Sequence, residues 1–354
     1  MSPQDRIGRR GAMATGAALA GLLDGLLARP ALAQPEAALL RAAEQEGEVV
    51  WYTTYIVNLA VRPLAAAFEK KYPKIRLRYV PAPPVEGVTR LLNENRNGSV
   101  QADVFDSGTV FVPAHAAGMV APYKPRAAES FAADYKDPEG FWTGVNLQVA
   151  TASVNTELVK PADIPVSYDD LLHPRWKGRM AWSDNHSSTG ATGFIGNILL
   201  TRGPEQGMAY LRALAQQRVA TVAAVQRVVL DQNIAGQYPL VLSIYNYHAQ
   251  ISMAEGAPIR WLKMEPVVSS FGTVSVLKQA RHPNAARLFI EFLLSEEGQA
   301  VLRDANYLPI HPKVPPKVPA LMPEAGGFAT TIISPMLYAQ HEQAWLKLFR
   351  DLFL

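Results

Sequence analysis

Ser187-Ser188-Thr189-Gly190 stands directly before a run whose Phe194, Ile195, Ile198 and Leu199 fall on one helical face. A helix start leaves amide donors unsatisfied and carries positive partial charge, so small residues there let an oxyanion approach the backbone. The hydroxyls of Ser188 and Thr189 add donors without adding charge. The same residues also suit a plain helix N-cap. A second group, Tyr245, Tyr247 and His248, ends another element. Phenol and imidazole both hydrogen-bond an oxyanion. Aromatic residues at alternating positions also make an ordinary packed strand face. Thr53-Thr54-Tyr55 and Ser107-Gly108 complete the set. Trp142, Asn146 and Arg227 are secondary candidates: Trp142 for stacking on a ligand or for the core, Arg227 for bidentate contact with a phosphate or carboxylate, or as a surface charge. Ser183, Asp184 and His186 have the residue types of a hydrolytic triad. They lie within four positions of one another, whereas a triad is assembled from separate loops, and neither G-x-S-x-G nor H-E-x-x-H occurs.

The elements that must position these groups follow from periodicity. Glu48 to Tyr55 is β-rich. A helix then carries Leu64, Phe68 and Tyr72, with Pro63 near its first turn. Ile75 to Val80 alternates as a strand. Val88, Leu91 and Leu92 mark a helix that stops at Gly98, and Ala102 to Phe105 is a third strand, ending in Asp106-Ser107-Gly108. Strand, helix, strand, helix, strand is the grammar of a parallel sheet with covering helices. Further strands are predicted at Val149 to Val154, Gly178 to Trp182, Pro239 to Ile244 and Phe271 to Leu277. Helices are predicted around Met208 to Leu214, over Val228 to Gly236 and around Leu288 to Leu293. Ser295 is a candidate cap for the next helix, Pro309 to Pro323 reads as loop, and a last amphipathic helix spans roughly Leu337 to Phe353. Open parallel sheets bind ligands beyond the carboxyl ends of their strands. That rule selects the four segments named above.

With 354 residues and 49% hydrophobic residues, the chain is long enough for two cored lobes. Charged residues, at 18%, are too few and too mixed for a nucleic-acid binder. The formal charge is +3, but the first 33 residues hold four Arg and two Asp, so the remainder carries +1. Cysteine is absent, which excludes disulfides, Cys-zinc sites and thiol catalysis. Arg6, Arg9 and Arg10, the weakly apolar run Gly11 to Leu27 and the A-x-A signature Ala31-Leu32-Ala33 read as a cleavable export signal that leaves Gln34 first. The Arg9-Arg10 pair suggests the twin-arginine route, with Gly8 and Ala12 where that route usually shows Ser and Phe. An ordinary secretory signal is the alternative. Asp24 interrupts the apolar run, so a membrane-spanning helix is not expected. Without cysteine the mature chain has no lipidation point, and it is expected free in solution outside the cytoplasm.

Six phrases, in this order, carry a resemblance: VVWYTTY, AAFEKKYPKIRLRY, ADVFDSG, PVSYDDLLHPRWKGRMAW, IAGQYPLVLSIYNY and HPNAARLFIEFLLSEEGQAVL. Together they resemble the periplasmic solute-binding proteins of bacterial ABC importers, in the cluster with ferric-ion-, phosphonate- and sugar-phosphate-binding members, over nearly the whole mature chain. The resemblance implies a type II two-lobed α/β fold with a ligand cleft, no enzymatic activity and no cofactor. It implies a monomer working with an inner-membrane ABC permease. After a signal peptide at 1–33, lobe one takes 34–143 and the return segment with the C-terminal helices, 266–354, and lobe two takes 144–265. The crossings are placed near Trp142 to Ala152 and Met264 to Ser270. Ligand-binding residues are expected at Thr53, Thr54, Tyr55, Ser107, Gly108, Ser187, Ser188, Thr189, Gly190, Tyr245, Tyr247 and His248. Ferric members show two adjacent tyrosines in the second lobe. Tyr247 matches the first, His248 stands where the second belongs, and Tyr245 is the possible substitute, although a two-residue step in an extended chain points opposite to a one-residue step. The first loop also lacks the histidine of the ferric pattern. A small anionic solute (a phosphonate, sugar phosphate or carboxylate) is therefore the first expectation. The alternatives are ferric ion held by Tyr245, Tyr247 and a bound anion, a soluble sensor module, and a periplasmic hydrolase.

Overall fold

The computed structural model describes residues 33–108 and 111–354. The expected leader, with its twin-arginine and A-x-A features up to residue 32, lies outside the described residues. The chain runs α1 (Ala33–Glu46), β1 (Glu48–Thr53), α2 (Arg62–Lys71), β2 (Arg76–Pro81), α3 (Pro84–Arg96), β3 (Val104–Ser107), α4 (Phe111–Ala116) and β4 (Val120–Ala121). The middle holds β5 (Thr143–Asn155), β6 (Met180–Ser183), α5 (Ala191–Ala215), β7 (Ala220–Val222), α6 (Gln226–Ile234), β8 (Leu240–Tyr245), α7 (Asn246–Ala254) and β9 (Ile259–Trp261). The end holds β10 (Val267–Leu277), α8 (Pro283–Leu294), α9 (Glu296–Asp304), β11 (Leu308–Pro309), α10 (Pro323–Gly326), β12 (Thr330–Ile332) and α11 (Pro335–Phe353).

One sheet carries all the strands, in the order β2-β1-β3-β10-β5-β8-β6-β7. Its first wing is parallel: β1 pairs with β2 and β3. Its second wing is parallel too, with β6 between β7 and β8. Between them lie the two longest strands, β5 and β10, antiparallel to each other. β10 borders the first wing and β5 the second. β10 meets β3 through Thr273 to Val276 and β12 through Val267 to Ser269, and β5 meets β8 through Ala150 to Val154. Both faces are covered along nearly their whole length, so apolar residues and small polar ones such as Ser153 and Ser270 are buried alike and no alternation of exposure appears.

Two aromatic-rich cores follow the wings. The first packs Trp51, Phe68, Phe289 and Phe292. The second packs Trp182, Phe194, Tyr338, Trp345 and Phe349. The expected division sent the C-terminal helices back to the first wing. α8 and α9 do return there, but α11 lies on α5 of the second wing. Tyr338 and Thr192 share a hydrogen bond of 2.9 Å, and the Trp345 ring sits against Gly196, where a Cβ would come within 2.5 Å of it. The small residue on α5 is what admits the ring.

Local signals read correctly include Pro63 in the first turn of α2 and the Ser295 hydroxyl accepting from the Gly298 amide at the start of α9. The predicted helices near 194–199 and 208–214 are one element, α5, kinked at Gly203, whose φ of 77° is left-handed.

Candidate functional site

Two parallel pairs, β1 with β3 and β6 with β8, flank the crossing strands and run in opposite directions. On the first wing the chain leaving β1 is held by Asp106, the third residue of β3. Its Oδ1 accepts the Thr54 amide (2.9 Å) and the Thr54 hydroxyl (2.5 Å). Thr53 turns its hydroxyl back to accept the Tyr55 amide. Tyr55 is thereby aimed across the sheet, and its hydroxyl donates to Asn146 Oδ1 on β5 at 2.6 Å. Opposite Asn146 in register lies Gly272 of β10. A Cβ there would come within 2.4 Å of Asn146 Oδ1 and 3.2 Å of the Tyr55 hydroxyl, so glycine is required for this contact.

On the second wing the turn after β6 leads into α5. Gly190 begins the helix, and the Gly193 amide turns back to Ser187 O. The Ser188 hydroxyl donates to Ser270 on β10 (2.9 Å), which donates on to Ile333 O. The Ser188 hydroxyl thus ties the turn to the crossing strand. The Thr189 hydroxyl is 3.0 Å from the Tyr245 hydroxyl. Gln226, at the start of α6, donates to Thr189 O and to Ser243 O and fixes the turn from behind.

The strand expected over Pro239 to Ile244 is followed by a helix, so Tyr245 to His248 do not form the packed strand face that was the alternative for them. β8 stops at Tyr245 and α7 begins at Asn246. The tight helical step brings all three rings together. Tyr245 stacks on Tyr247 (centroids 5.5 Å, 23°), and His248 stands edge-on to both, at 5.5 and 4.3 Å. Tyr307, from the link between α9 and β11, joins the two wings: it lies edge-on to Tyr55 at 5.0 Å and 5.9 Å from Tyr247. Its hydroxyl accepts the Ile56 amide at 3.3 Å.

Burial governs the electrostatics. It pushes Tyr55 and Tyr247 well above the usual phenol range, helped by Asp106 and neighbouring tyrosines at Tyr55 and by Tyr307 and Tyr245 at Tyr247. It raises Tyr245, and raises Tyr307 to about 12. Asp106 is pushed up to about 6 by burial, against the pull of its hydrogen bonds. His248 is pushed down to about 4, first by burial and then by Arg227, so its imidazole is neutral at pH 7. Arg227 itself pairs with Asp231 at 2.8 Å on the half-exposed face of α6.

Of the expected ligand residues, Tyr55, Thr189, Tyr245, Tyr247 and His248 converge. Ser187 and Gly190 shape the helix start beside them. Thr53 and Thr54 set the loop. Ser107 gives its carbonyl to the Thr273 hydroxyl and its own hydroxyl to Gly108 O, so this pair finishes β3 without reaching the aromatic group. Trp142 is a core residue stacked on Phe271. The Ser183 hydroxyl donates to Ala224 O and the His186 ring packs on Phe349, so the triad types do not meet. Asp106 and Tyr307 were not among the expected residues. Asp106 adjoins the flagged Ser107-Gly108, whereas Tyr307 sits in connecting text with no motif of its own.

Two wings joined by long shared strands, with polar groups collected at the strand ends, define a solute-binding protein. A family model for the bacterial extracellular solute-binding proteins matches residues 99–326, and the chain belongs to that family, which is one of binding proteins and not of enzymes. It is similar to the Fe(3+)-binding periplasmic protein of Serratia marcescens, 24% identical over 216 residues, 58% of this chain and 62% of that protein. Two solved structures share the fold. One is the periplasmic binding protein AfuA from Actinobacillus pleuropneumoniae with fructose-6-phosphate bound (TM-score 0.73, 22% identity, 87% of this chain and 98% of that one). The other is iron-bound HitA from Pseudomonas aeruginosa (TM-score 0.71, 21% identity, 87% and 99%). Among the described residues no helix is long and apolar enough to cross a membrane.

Proposed function

We propose that this chain is the periplasmic capture component of an ABC importer, and that its solute is a small anion held by an oxyanion at the start of α5. Residues 34–143 with 266–304 form one lobe on this reading, 144–265 with α11 the other, and β5 and β10 are the hinge strands. The observation that carries it is the meeting of the α5 start with neutral donors: Thr189 and Tyr245 hydroxyls 3.0 Å apart, with His248 beside them uncharged. A helix start favours a negative group by about 0.3–1 kcal/mol, and up to about 2 when partly buried. Charge-assisted hydrogen bonds add about 1.5–3 kcal/mol each. Three or four of them reach the roughly 8 kcal/mol of micromolar binding after ordering costs. A melting-temperature screen of phosphonates, sugar phosphates and carboxylates should find a stabilising ligand. A flat response across the panel contradicts the reading.

One observation favours a second ligand class. Three buried tyrosines, Tyr55, Tyr247 and Tyr307, gather with the half-buried Tyr245, and the Asp106 carboxylate acts on Tyr55 and Tyr307. Phenolate and carboxylate oxygens suit a hard trivalent cation, and the α5 start would then take its accompanying anion. Ferric ion would give a visible phenolate-to-iron colour that Tyr247→Phe weakens. Colour with ferric salt and no response to any organic anion alone would move the assignment to iron.

On the same reading the leader is removed after Ala33, and intact mass of the exported protein should show Gln34 first. Export through the twin-arginine route should fail when Arg9 and Arg10 are both replaced by Lys.

A further inference from the structure

The first turn of α6 goes against helix electrostatics twice. Arg227 is its second residue, and the turn holds no acidic residue, so a full positive charge stands at the positive end of the helix dipole. The guanidinium pairs with Asp231, four residues on, at 2.8 Å. Cation before anion is the weaker order at that spacing, and the two side chains are 40% and 52% exposed, so the pair does little to hold the helix. A residue that costs its element something and returns little to the fold is expected at a functional site.

The neighbouring residue fixes where this turn lies. Gln226 is buried, donates to Thr189 O (2.8 Å) and Ser243 O (2.5 Å), and accepts from the side-chain amide of Asn185 (3.2 Å). It ties the start of α6 to the turn that begins α5, to β8 and to the loop after β6. Arg227 leaves the chain one residue from that contact. Its charge also reaches His248 on α7 and helps to keep that ring neutral. Val225 and Val228, on either side of it in the chain, are exposed, so this turn is open to solvent. The groups brought together at the α5 start, the Thr189 and Tyr245 hydroxyls and the His248 imidazole, are uncharged.

We propose that Arg227 is the specificity residue that reads the charge of the solute: its guanidinium leaves Asp231 and closes on the oxyanion at the start of α5, which favours a dianionic phosphate or phosphonate over a monoanion of the same shape. This rests on the oxyanion reading for the α5 start. Neutral donors gain less from a second negative charge than a guanidinium does, and the guanidinium fork fits two oxygens of a tetrahedral group. An exposed ion pair is weak enough to be exchanged for that contact.

The test is calorimetry on the whole mature protein with ethyl phosphate, ethyl sulfate and butyrate at pH 8. A phosphate monoester, with a second pKa of about 6, is a dianion there, and the sulfate ester has the same shape with one charge fewer. Wild type should bind ethyl phosphate at least about tenfold tighter than ethyl sulfate. Arg227→Gln should lose that preference, and Arg227→Lys, which keeps the charge without the fork, should retain part of it. Asp231→Asn removes the competitor for the guanidinium and should bind ethyl phosphate at least as tightly as wild type. Ligand-free Arg227→Gln should melt no lower than wild type, because a cation leaves the first turn of α6. Equal binding of the two esters by wild type, binding of butyrate alone, a preference that survives in Arg227→Gln, or a loss in Asp231→Asn that matches Arg227→Gln overturns the proposal. A lower melting temperature of ligand-free Arg227→Gln also overturns it and makes the pair structural. No binding of any of the three overturns the oxyanion reading and the proposal with it.

Discussion

The two walls of the site are built from the same kind of element, a parallel strand running into a turn, yet their polar groups are engaged differently. The wall of β1 and β3 is closed on itself: Asp106 takes the Thr54 amide and hydroxyl, and Asn146 of the crossing strand β5 takes the Tyr55 hydroxyl. The wall of β6 and β8 brings the Thr189 and Tyr245 hydroxyls and a neutral His248 together at the α5 start. The crossing strands tie both together through Gly272 beside Asn146 and through Ser270 beneath Ser188. A solute that bridges such walls favours the closed arrangement only through contacts made to both.

The largest expected effect comes from reversing one wall. Ser187 is half-buried, with its hydroxyl 3.5 Å from that of Thr189. Ser187→Asp places a carboxylate where the oxyanion should sit, and like-charge contact costs several kcal/mol. Affinity for the best anion of the screen should fall by about a hundredfold or more, with little change in melting temperature. Thr189→Val keeps the shape and removes the hydroxyl, and should cost about 1–2 kcal/mol of binding, read by calorimetry. On the opposite wall, Gly272→Ala pushes a methyl into Asn146 and should weaken binding while leaving the circular dichroism spectrum unchanged.

Acidification separates the walls more finely. Asp106 is raised from 3.8 to about 6, so the folded chain takes up this proton before the unfolded chain does. The cost of its buried charge is full above pH 6 and is relieved as pH falls towards 4. His248 is lowered from 6.5 to about 4, so its neutral form favours folding above pH 6.5, and that contribution is lost as pH falls towards 4. The two trends oppose each other. Melting curves from pH 7 to 4 should show Asp106→Asn gaining most over wild type at pH 7 and losing the advantage near pH 4. An advantage that grows with acid would contradict the assignment to Asp106.

Much of this was legible in the sequence, and the exceptions have a common cause. β1, α2, β3 and the turn before α5 carry local signals: alternation, Pro63, small residues ahead of an apolar stripe. Tyr245 to His248 were identified by type, but alternation hid the switch from strand to helix at Asn246 that lets the three rings meet. Ser188 has the chemistry of a ligand donor, and only the position of Ser270, 82 residues further on, ties its hydroxyl to the crossing strand. Tyr307 and the docking of α11 on α5 depend on contacts between distant segments, which no local pattern encodes. Asp106 was in view beside Ser107-Gly108, but its hold on Thr54 joins residues 52 positions apart.

The central claim is that the start of α5 holds the negative group of the solute. Calorimetric titration of wild type and Ser187→Asp, side by side, with the strongest anion from the screen tests it most directly. Wild type should bind with micromolar affinity or better, and Ser187→Asp, folded to the same melting temperature, should give no heat. Equal affinity in the two proteins, or no anion bound by wild type, would contradict the account.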